Sequence, residues 1–262
     1  MRGDYVASIS YGKDSMAMLH VILDVLHLPL TRVVTADTFA TETLLADWPD
    51  VVAFKQYADA EIKKRWGFPV EHFCSVDKHG KKFTFERLFY QKKTERSNRP
   101  GTIWGWPMIG MCWANNRLKL NALRRIDVET SGAVHYIGIA ADEPRRIQKH
   151  EKRPNIRMPL VEAGWTEADC KNWCKENCLL SPTYSYAARS GCFFCAEQPF
   201  EQLMVLRNRH PDLWRMMLQW DADSPFPFRA PHHKNQTGQW LYEIEDRFSL
   251  QESKTGKKKE GV

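Results

Sequence analysis

Residues with the types and spacing for chemistry fall into two groups in this 262-residue chain. The first is Ser10-Tyr11-Gly12-Lys13-Asp14-Ser15, which joins the apolar, alternating run Tyr5–Ile9 to a segment of helical spacing, residues 14–26. A helix start presents unpaired N–H groups and the positive end of its dipole, so a Gly/Ser turn leading into one can cradle a phosphate. Gly12 frees the backbone, Ser10 and Ser15 offer hydroxyls, and Lys13 offers a charge. The spacing is neither that of a Walker loop nor that of the dinucleotide glycine fingerprint. An ordinary helix capped by Ser10 or Asp14 would use the same residues and bind nothing.

The second group is the cysteines, seven in all. Cys192-Phe-Phe-Cys195 puts two thiolates within reach of one metal centre, as zinc and iron–sulfur sites require. Cys170, Cys174 and Cys178 recur every four residues, one face of a helix, where cysteine also serves as a small apolar core residue; Cys74 reads as core. No apolar run approaches the roughly 18 residues that span a bilayer. With Met1-Arg2-Gly3-Asp4 leading straight into the first strand, the expectation is a cytoplasmic chain with no membrane partner, whose thiols stay reduced.

The formal charge is +6. Residues 77–101 interleave basic side chains with Phe83, Phe85, Phe89 and Tyr90, a mixture that grips nucleic-acid phosphates and stacks bases, and that a mobile flap over an active site would also show. The last twelve residues carry four Lys and two Glu and read as a disordered, basic tail.

Strands are predicted at 5–9, 31–36, 69–76 and 133–140, and helices at 14–26, 47–66, 112–126 and 166–177, the last opening on a Thr166 cap with Asp169 three residues on. Alternating strands and helices imply a parallel sheet with ligands beyond the carboxyl ends of its strands.

Residues 10–15 resemble the pyrophosphate loop, S-G-G-x-D-S, of the N-type ATP pyrophosphatases (the PP-loop, adenine nucleotide alpha hydrolase-like superfamily). That loop holds the pyrophosphate of ATP, or the sulfate or phosphate of a sulfonucleotide. Tyr11 stands where the family has its first Gly, so its ring is expected to narrow or line the mouth of the site. Four further stretches follow in the order of the phosphoadenosine phosphosulfate (PAPS) reductase-like branch. They are "ADTFATET", with Phe39 in place of a Gly; Cys112 with Arg117-Leu118-Lys119; "YIGIAADEPRR"; and "TYSYAARSGCFFC". The matches span residues 5–195.

The resemblance implies an α/β fold, a Rossmann-like parallel sheet of about five strands with helices on both faces, in residues 1–160. A Cys-containing helical cap would follow at 161–250 and the tail at 251–262. It implies an adenine nucleotide, ATP or of PAPS type, on Ser10, Tyr11, Gly12, Lys13, Ser15, Asp37, Gly138, Asp142, Arg145 and Arg146. Lys13, Asp14 and Ser15 would serve catalysis, and Asp14 would orient the loop or a Mg²⁺ ion. Cys112 lies 80 positions before Cys192, about the separation between the cysteine pairs of cluster-containing adenylylsulfate reductases. The upstream pair there is Cys-Cys, whereas here it is Met111-Cys112, so one ligand is missing. Cys170, Cys174 or Cys178 could replace it, Cys174 being central; the expected set is Cys112, Cys174, Cys192 and Cys195 around a 4Fe-4S cluster, with Zn²⁺ as the alternative.

The implied activity is ATP-dependent sulfur transfer: a substrate is adenylated, pyrophosphate leaves, and sulfur replaces AMP. Nucleic acid, tRNA or DNA, is the expected substrate through residues 77–101, with a sulfur donor or reductant protein as a further partner, and a homodimer is compatible. One alternative is a sulfonucleotide reductase, whose nucleophile sits in a C-terminal Glu-Cys-Gly-Leu-His motif; here no cysteine follows Cys195. The other is a non-catalytic nucleotide-binding or redox-sensing regulator, which the replacement of two family glycines by Tyr11 and Phe39 favours.

Overall fold

Val6, Ala7 and Ile9 are buried in β1 (Tyr5–Ile9), a strand with a parallel neighbour on each side, which is why its sequence is apolar without strict alternation. In chain order, the computed structural model continues with α1 (Lys13–His20) and a π-helical extension (Val21–Val25), then β2 (Arg32–Asp37), α2 (Pro49–Trp66), β3 (Val70–Cys74) and α3 (Phe85–Phe89). A second π-helical stretch (Asn115–Leu120) leads into α4 (Asn121–Glu129), followed by β4 (Val134–Ile137), α5 (Pro144–His150), β5 (Ile156–Arg157), α6 (Pro159–Glu162) and α7 (Glu167–Glu176). A 3-10 turn (Pro182–Ser185), α8 (Phe200–Arg209), α9 (Pro211–Asp223) and α10 (Leu241–Lys259) complete the chain. The structure describes residues 4–107, 112–187, 191–231 and 237–259, with side chains to residue 253. Met1-Arg2-Gly3, Met111 beside Cys112, residues 188–190 of the Tyr/Ser stretch and the last three residues lie outside the described residues.

The chain divides into two units. Unit 1 comprises residues 1–38, 47–82 and 118–190, and holds the five-stranded, all-parallel sheet in the order β3-β2-β1-β4-β5. The chain fills one side of β1 with β2 and β3, then returns to the other side with β4, so a topological switch point falls between β1 and β4. Neighbouring residues of a strand project to opposite faces. Ala7, Ile9 and Val33 join Met16 and Leu19 of α1, Phe54 and Ala58 of α2 and Cys170 and Cys174 of α7 in one core; Val6, Val34 and Phe73 join Ile126 of α4 in the other. Helices therefore cover both faces, as the alternation of elements predicts.

Local chemistry sets the ends. α2 stops at Gly67, whose φ of +79° a side chain would resist. α7 opens with the capping box predicted at Thr166 and Asp169. The predicted strand at 133–140 stops at Ile137; a turn at Ala141–Asp142 follows, and α5 opens at Pro144, a first-turn position that needs no N–H donor.

Unit 2 comprises residues 39–46, 83–117 and 191–262. Its core is aromatic: Phe85 lies 4.0 Å, centroid to centroid, from Phe194 and 4.9 Å from Trp220, and Phe89 lies 5.4 Å from Trp106. This division departs from the expected cut after residue 160. α7 belongs to unit 1 because Cys170 and Cys174 pack into its core, and unit 2 recruits two stretches from the first half of the chain. The segment expected as a disordered tail is helical through Lys259, the end of α10. Among the described residues, no helix is long and apolar enough to cross a membrane.

Candidate functional site

β1 ends at Ile9 and α1 opens at Lys13, so three residues make the crossing. Gly12 is the N-cap, in extended geometry and without a side chain to cap the helix. Ser15 closes the loop from inside: its hydroxyl accepts the Ser10 N–H at 3.1 Å and donates to the Gly12 carbonyl at 3.0 Å. The Lys13 N–H donates to the Tyr184 hydroxyl at 3.2 Å. The N–H groups of Gly12, Asp14 and Ser15 make no hydrogen bond among the described residues, leaving a nest of donors at the positive end of α1. Gly138, just beyond β4, lets the strand end lie close to the loop, because a Cβ on it would meet the Ser15 backbone at 3.0 Å.

Lys13 and its neighbours make the loop bipolar. The Lys13 ammonium reaches Asp14 at 2.9 Å and Glu167, the first residue of α7, at 2.8 Å. Burial works against its charge, but the bonds to Glu167 and Asp14 outweigh that and raise its pKa. Asp14 is pushed up, by burial first and also by the charges of Glu167 and Glu143, in spite of Lys13. Asp14, Glu143 and Glu167 bring carboxylate oxygens within 4.8 Å of one another, a donor set of hard oxygens that suits Mg²⁺.

Other residues expected at the nucleotide have different partners. Asp142 accepts the Glu167 N–H at 3.0 Å and so caps α7, and Arg146 is paired with Glu143 at 2.6 Å. Arg145 is exposed on α5. Neither arginine is part of the loop's hydrogen bonding.

Asp37, at the end of β2, is committed to protein partners. It accepts from the Lys55 ammonium at 3.2 Å and from His72 Nδ1 at 2.8 Å. The other ring nitrogen of His72 lies 3.1 Å from Asp59, which accepts the Tyr11 hydroxyl at 2.6 Å, and Lys55 also reaches Asp47 at 2.5 Å. With a carboxylate at each nitrogen, His72 holds both protons, and the bonds to Asp37 and Asp59 push its pKa up to about 9. Burial disfavours the Asp37 charge, but His72 and Lys55 hold its pKa below the usual value.

The expectation for Tyr11 is corrected by the same network. Its ring does not line a mouth; it is 1% exposed and belongs to the core with Phe54 and Ala58. The backbone adopts φ +56°, the left-handed region a glycine would enter freely, at a cost on the order of 1 kcal/mol for a side chain.

The thiols separate. Cys174 is fully buried and donates to the Lys13 carbonyl at 3.3 Å; burial, then Asp14, pushes its pKa up to about 12. Cys170 is likewise buried and pushed up to about 12. Both thiols pack in the core of unit 1, whereas Cys112, Cys192 and Cys195 belong to unit 2, so the structure gives Cys174 core partners in place of the expected ligand set. Cys178 lies past α7 with φ +57°.

Cys112, Cys192 and Cys195 all fall in unit 2. The Cys112 sulfur accepts the Asn115 N–H at 3.4 Å, at the start of a helical segment. Cys192 and Cys195 are joined by a tight turn, Cys195 N–H to Cys192 O at 3.0 Å. The Gln198 amide pins that turn by donating to the Cys192 and Phe193 carbonyls at 3.0 and 2.7 Å. Arg229 donates to the Ala196 and Gln198 carbonyls and has no carboxylate partner among the described residues. The pKa of its guanidinium is lowered by burial and by Arg247, and only a Cys195 thiolate favours its charge. The Trp113 indole N–H, next to Cys112, is buried without an acceptor among the described residues. Among the described residues, Cys112, Cys192 and Cys195 do not bring three sulfurs within 4.8 Å of one another, as the ligands of a single metal ion would need; Arg229 and the Trp113 N–H are the polar groups beside these thiols that an anionic group could engage.

The basic-aromatic stretch splits as well: Phe85 and Phe89 are core, while the exposed charge gathers on a hairpin closed by antiparallel pairing of Lys92 with Ile103. Lys93 and Arg99 lie over the Phe226 ring at 4.2 and 5.0 Å, and Arg117 over Trp104 at 5.8 Å. Sequence reasoning missed Asp59, His72, Glu143, Glu167, Tyr184 and Arg229. Glu143 and Tyr184 do lie inside the quoted stretches "YIGIAADEPRR" and "TYSYAARSGCFFC", but the other four are single side chains in different elements with no spacing signal, and only the fold joins them. Scanned against models of known families, the chain matches none, and no curated protein matches it.

Proposed function

We propose that this chain is an ATP-using sulfurtransferase of the N-type ATP pyrophosphatase kind, acting on nucleic acid. The observation that carries the reading is the nest of unpaired N–H groups at Gly12, Asp14 and Ser15, with Lys13 beside it, at the sheet's switch point. The pyrophosphate of ATP would lie on these donors. A substrate oxygen attacks the α-phosphorus, the α–β anhydride breaks, and pyrophosphate leaves with the bonding pair. The N–H groups and Lys13 hold the charge gathering on its oxygens. Asp14, Glu143 and Glu167 would hold Mg²⁺, which neutralises phosphate charge. Bound by Cys112, Cys192 and Cys195, an iron–sulfur centre would supply the sulfur that replaces AMP, with zinc as the competing occupant.

Two features favour this reading over the alternatives. Residues 196–262 contain no cysteine, so this segment supplies no thiolate nucleophile of the kind a sulfonucleotide reductase uses. The left-handed Tyr11 keeps the backbone course that its replaced glycine would give, which weakens the case for a drifted, non-catalytic site.

Pyrophosphate release from ATP should require RNA or DNA and be lost in Lys13→Ala. Protein purified without oxygen should carry iron and acid-labile sulfide that Cys192→Ala loses. Zinc alone would leave adenylation without sulfur transfer, and no pyrophosphate with any nucleic acid would sink the proposal.

A further inference from the structure

Tyr11 occupies a backbone conformation that its side chain disfavours, and the structure shows what holds it there. Its ring is buried in the core of unit 1, and its hydroxyl donates to Asp59 at 2.6 Å. Asp59 in turn is bonded to His72, His72 to Asp37, and Asp37 to Lys55. Lys55 and Asp59 stand four residues apart on α2, and the Lys55 ammonium lies 5.3 Å from the centroid of the Tyr11 ring. The chain of bonds thus runs from the loop to α2, on to His72 in the middle of β3, and to the carboxyl end of β2.

We propose that Asp59 is a positioning residue for the phosphate loop: it acts through the Tyr11 hydroxyl to hold the left-handed turn that aims the Gly12, Asp14 and Ser15 N–H groups. The inference deepens, and rests on, the nucleotide-binding reading of that loop. A glycine reaches φ +56° unaided, so the tie to Asp59 is needed only because a tyrosine is there.

The test compares wild type, Tyr11→Phe, Asp59→Asn, Tyr11→Gly and the Tyr11→Gly/Asp59→Asn pair by calorimetric titration with ATP and with inorganic pyrophosphate. Amide hydrogen exchange of residues 10–15 is measured in parallel without any ligand. Tyr11→Phe and Asp59→Asn should each weaken both ligands about tenfold and speed exchange in the loop, with exchange in β1 and β2 unchanged. In the Tyr11→Gly background the Asp59 change should have no effect, because the turn no longer depends on the tie. Wild-type affinity and exchange in Tyr11→Phe would overturn the inference. So would an Asp59→Asn effect that persists undiminished in the glycine background. If Asp59→Asn fails to fold, Tyr11→Phe, which removes one oxygen, decides alone. Should wild type bind neither ATP nor pyrophosphate, the functional reading fails, while the exchange data still decide whether the tie holds the loop.

Discussion

Ser15 is the most economical place to test the loop, because one hydroxyl serves both of its halves. Ser15→Ala leaves the Ser10 N–H without its acceptor. It is expected to cost about 1–3 kcal/mol of stability in urea denaturation, and to lower ATP affinity as well. Gly138→Ala is a purely steric counterpart: the added methyl meets the Ser15 and Asp14 backbone at 3.0–3.1 Å and pushes the loop by a few tenths of an ångström. Overpacking of that kind costs about 1–3 kcal/mol, and nucleotide affinity should fall with it. His72 gives the pH signature. Its folded pKa of about 9 lies above the ordinary 6.5, so the stability it contributes is fully present below about 6.5 and is lost as pH rises through about 9. Asp37 and Asp59 face it directly, with Lys55 and Tyr11 one bond further on and Asp47 beyond Lys55. Melting temperatures followed from roughly pH 6 to roughly pH 10 should fall through this range in wild type and lose that fall in His72→Gln.

At the scale of elements, α7 and the turn from Cys192 to Cys195 make opposite uses of sulfur. α7 spends Cys170 and Cys174 on its contact with α1, so Cys174→Ala should keep whatever metal the protein carries, while Cys192→Ala should lose it. Arg229→Gln, which removes the cation behind the turn, should lower metal retention with secondary structure unchanged by circular dichroism. The hairpin bearing Lys93 and Arg99 belongs to a different measurement. If it grips phosphates, Lys93→Ala and Arg99→Ala should each reduce the salt slope of nucleic-acid binding by about one, with little effect on ATP affinity. Most elements were legible in the sequence, since β1, α2 and α7 announce themselves by apolar period, by Gly67 and by the Thr166–Asp169 box. The cysteine stripe was legible as a helix face but not as core or ligand, because period alone does not say what a face meets.

For the whole molecule, the sequence identified the loop and the sheet but not the partition into units. Spacing within one segment reveals a motif; it does not reveal that residues 39–46, 83–117 and 191–262 share a core. Asp59, His72 and Arg229 stayed invisible for the same reason, their roles being made by contacts across long stretches of chain. That interleaving also bears on how the protein is made. Synthesis runs from the N-terminus, and domains generally fold as they are completed. Unit 1 has its last stretch by residue 190, whereas Phe85, Phe89 and Trp106 of unit 2 emerge long before Phe193, Phe194 and Trp220 exist to cover them. A nascent chain therefore carries a sticky, half-assembled aromatic cluster for the time it takes to translate about ninety residues, and any premature stop in that window releases a product that chaperones, not solvent, must hold.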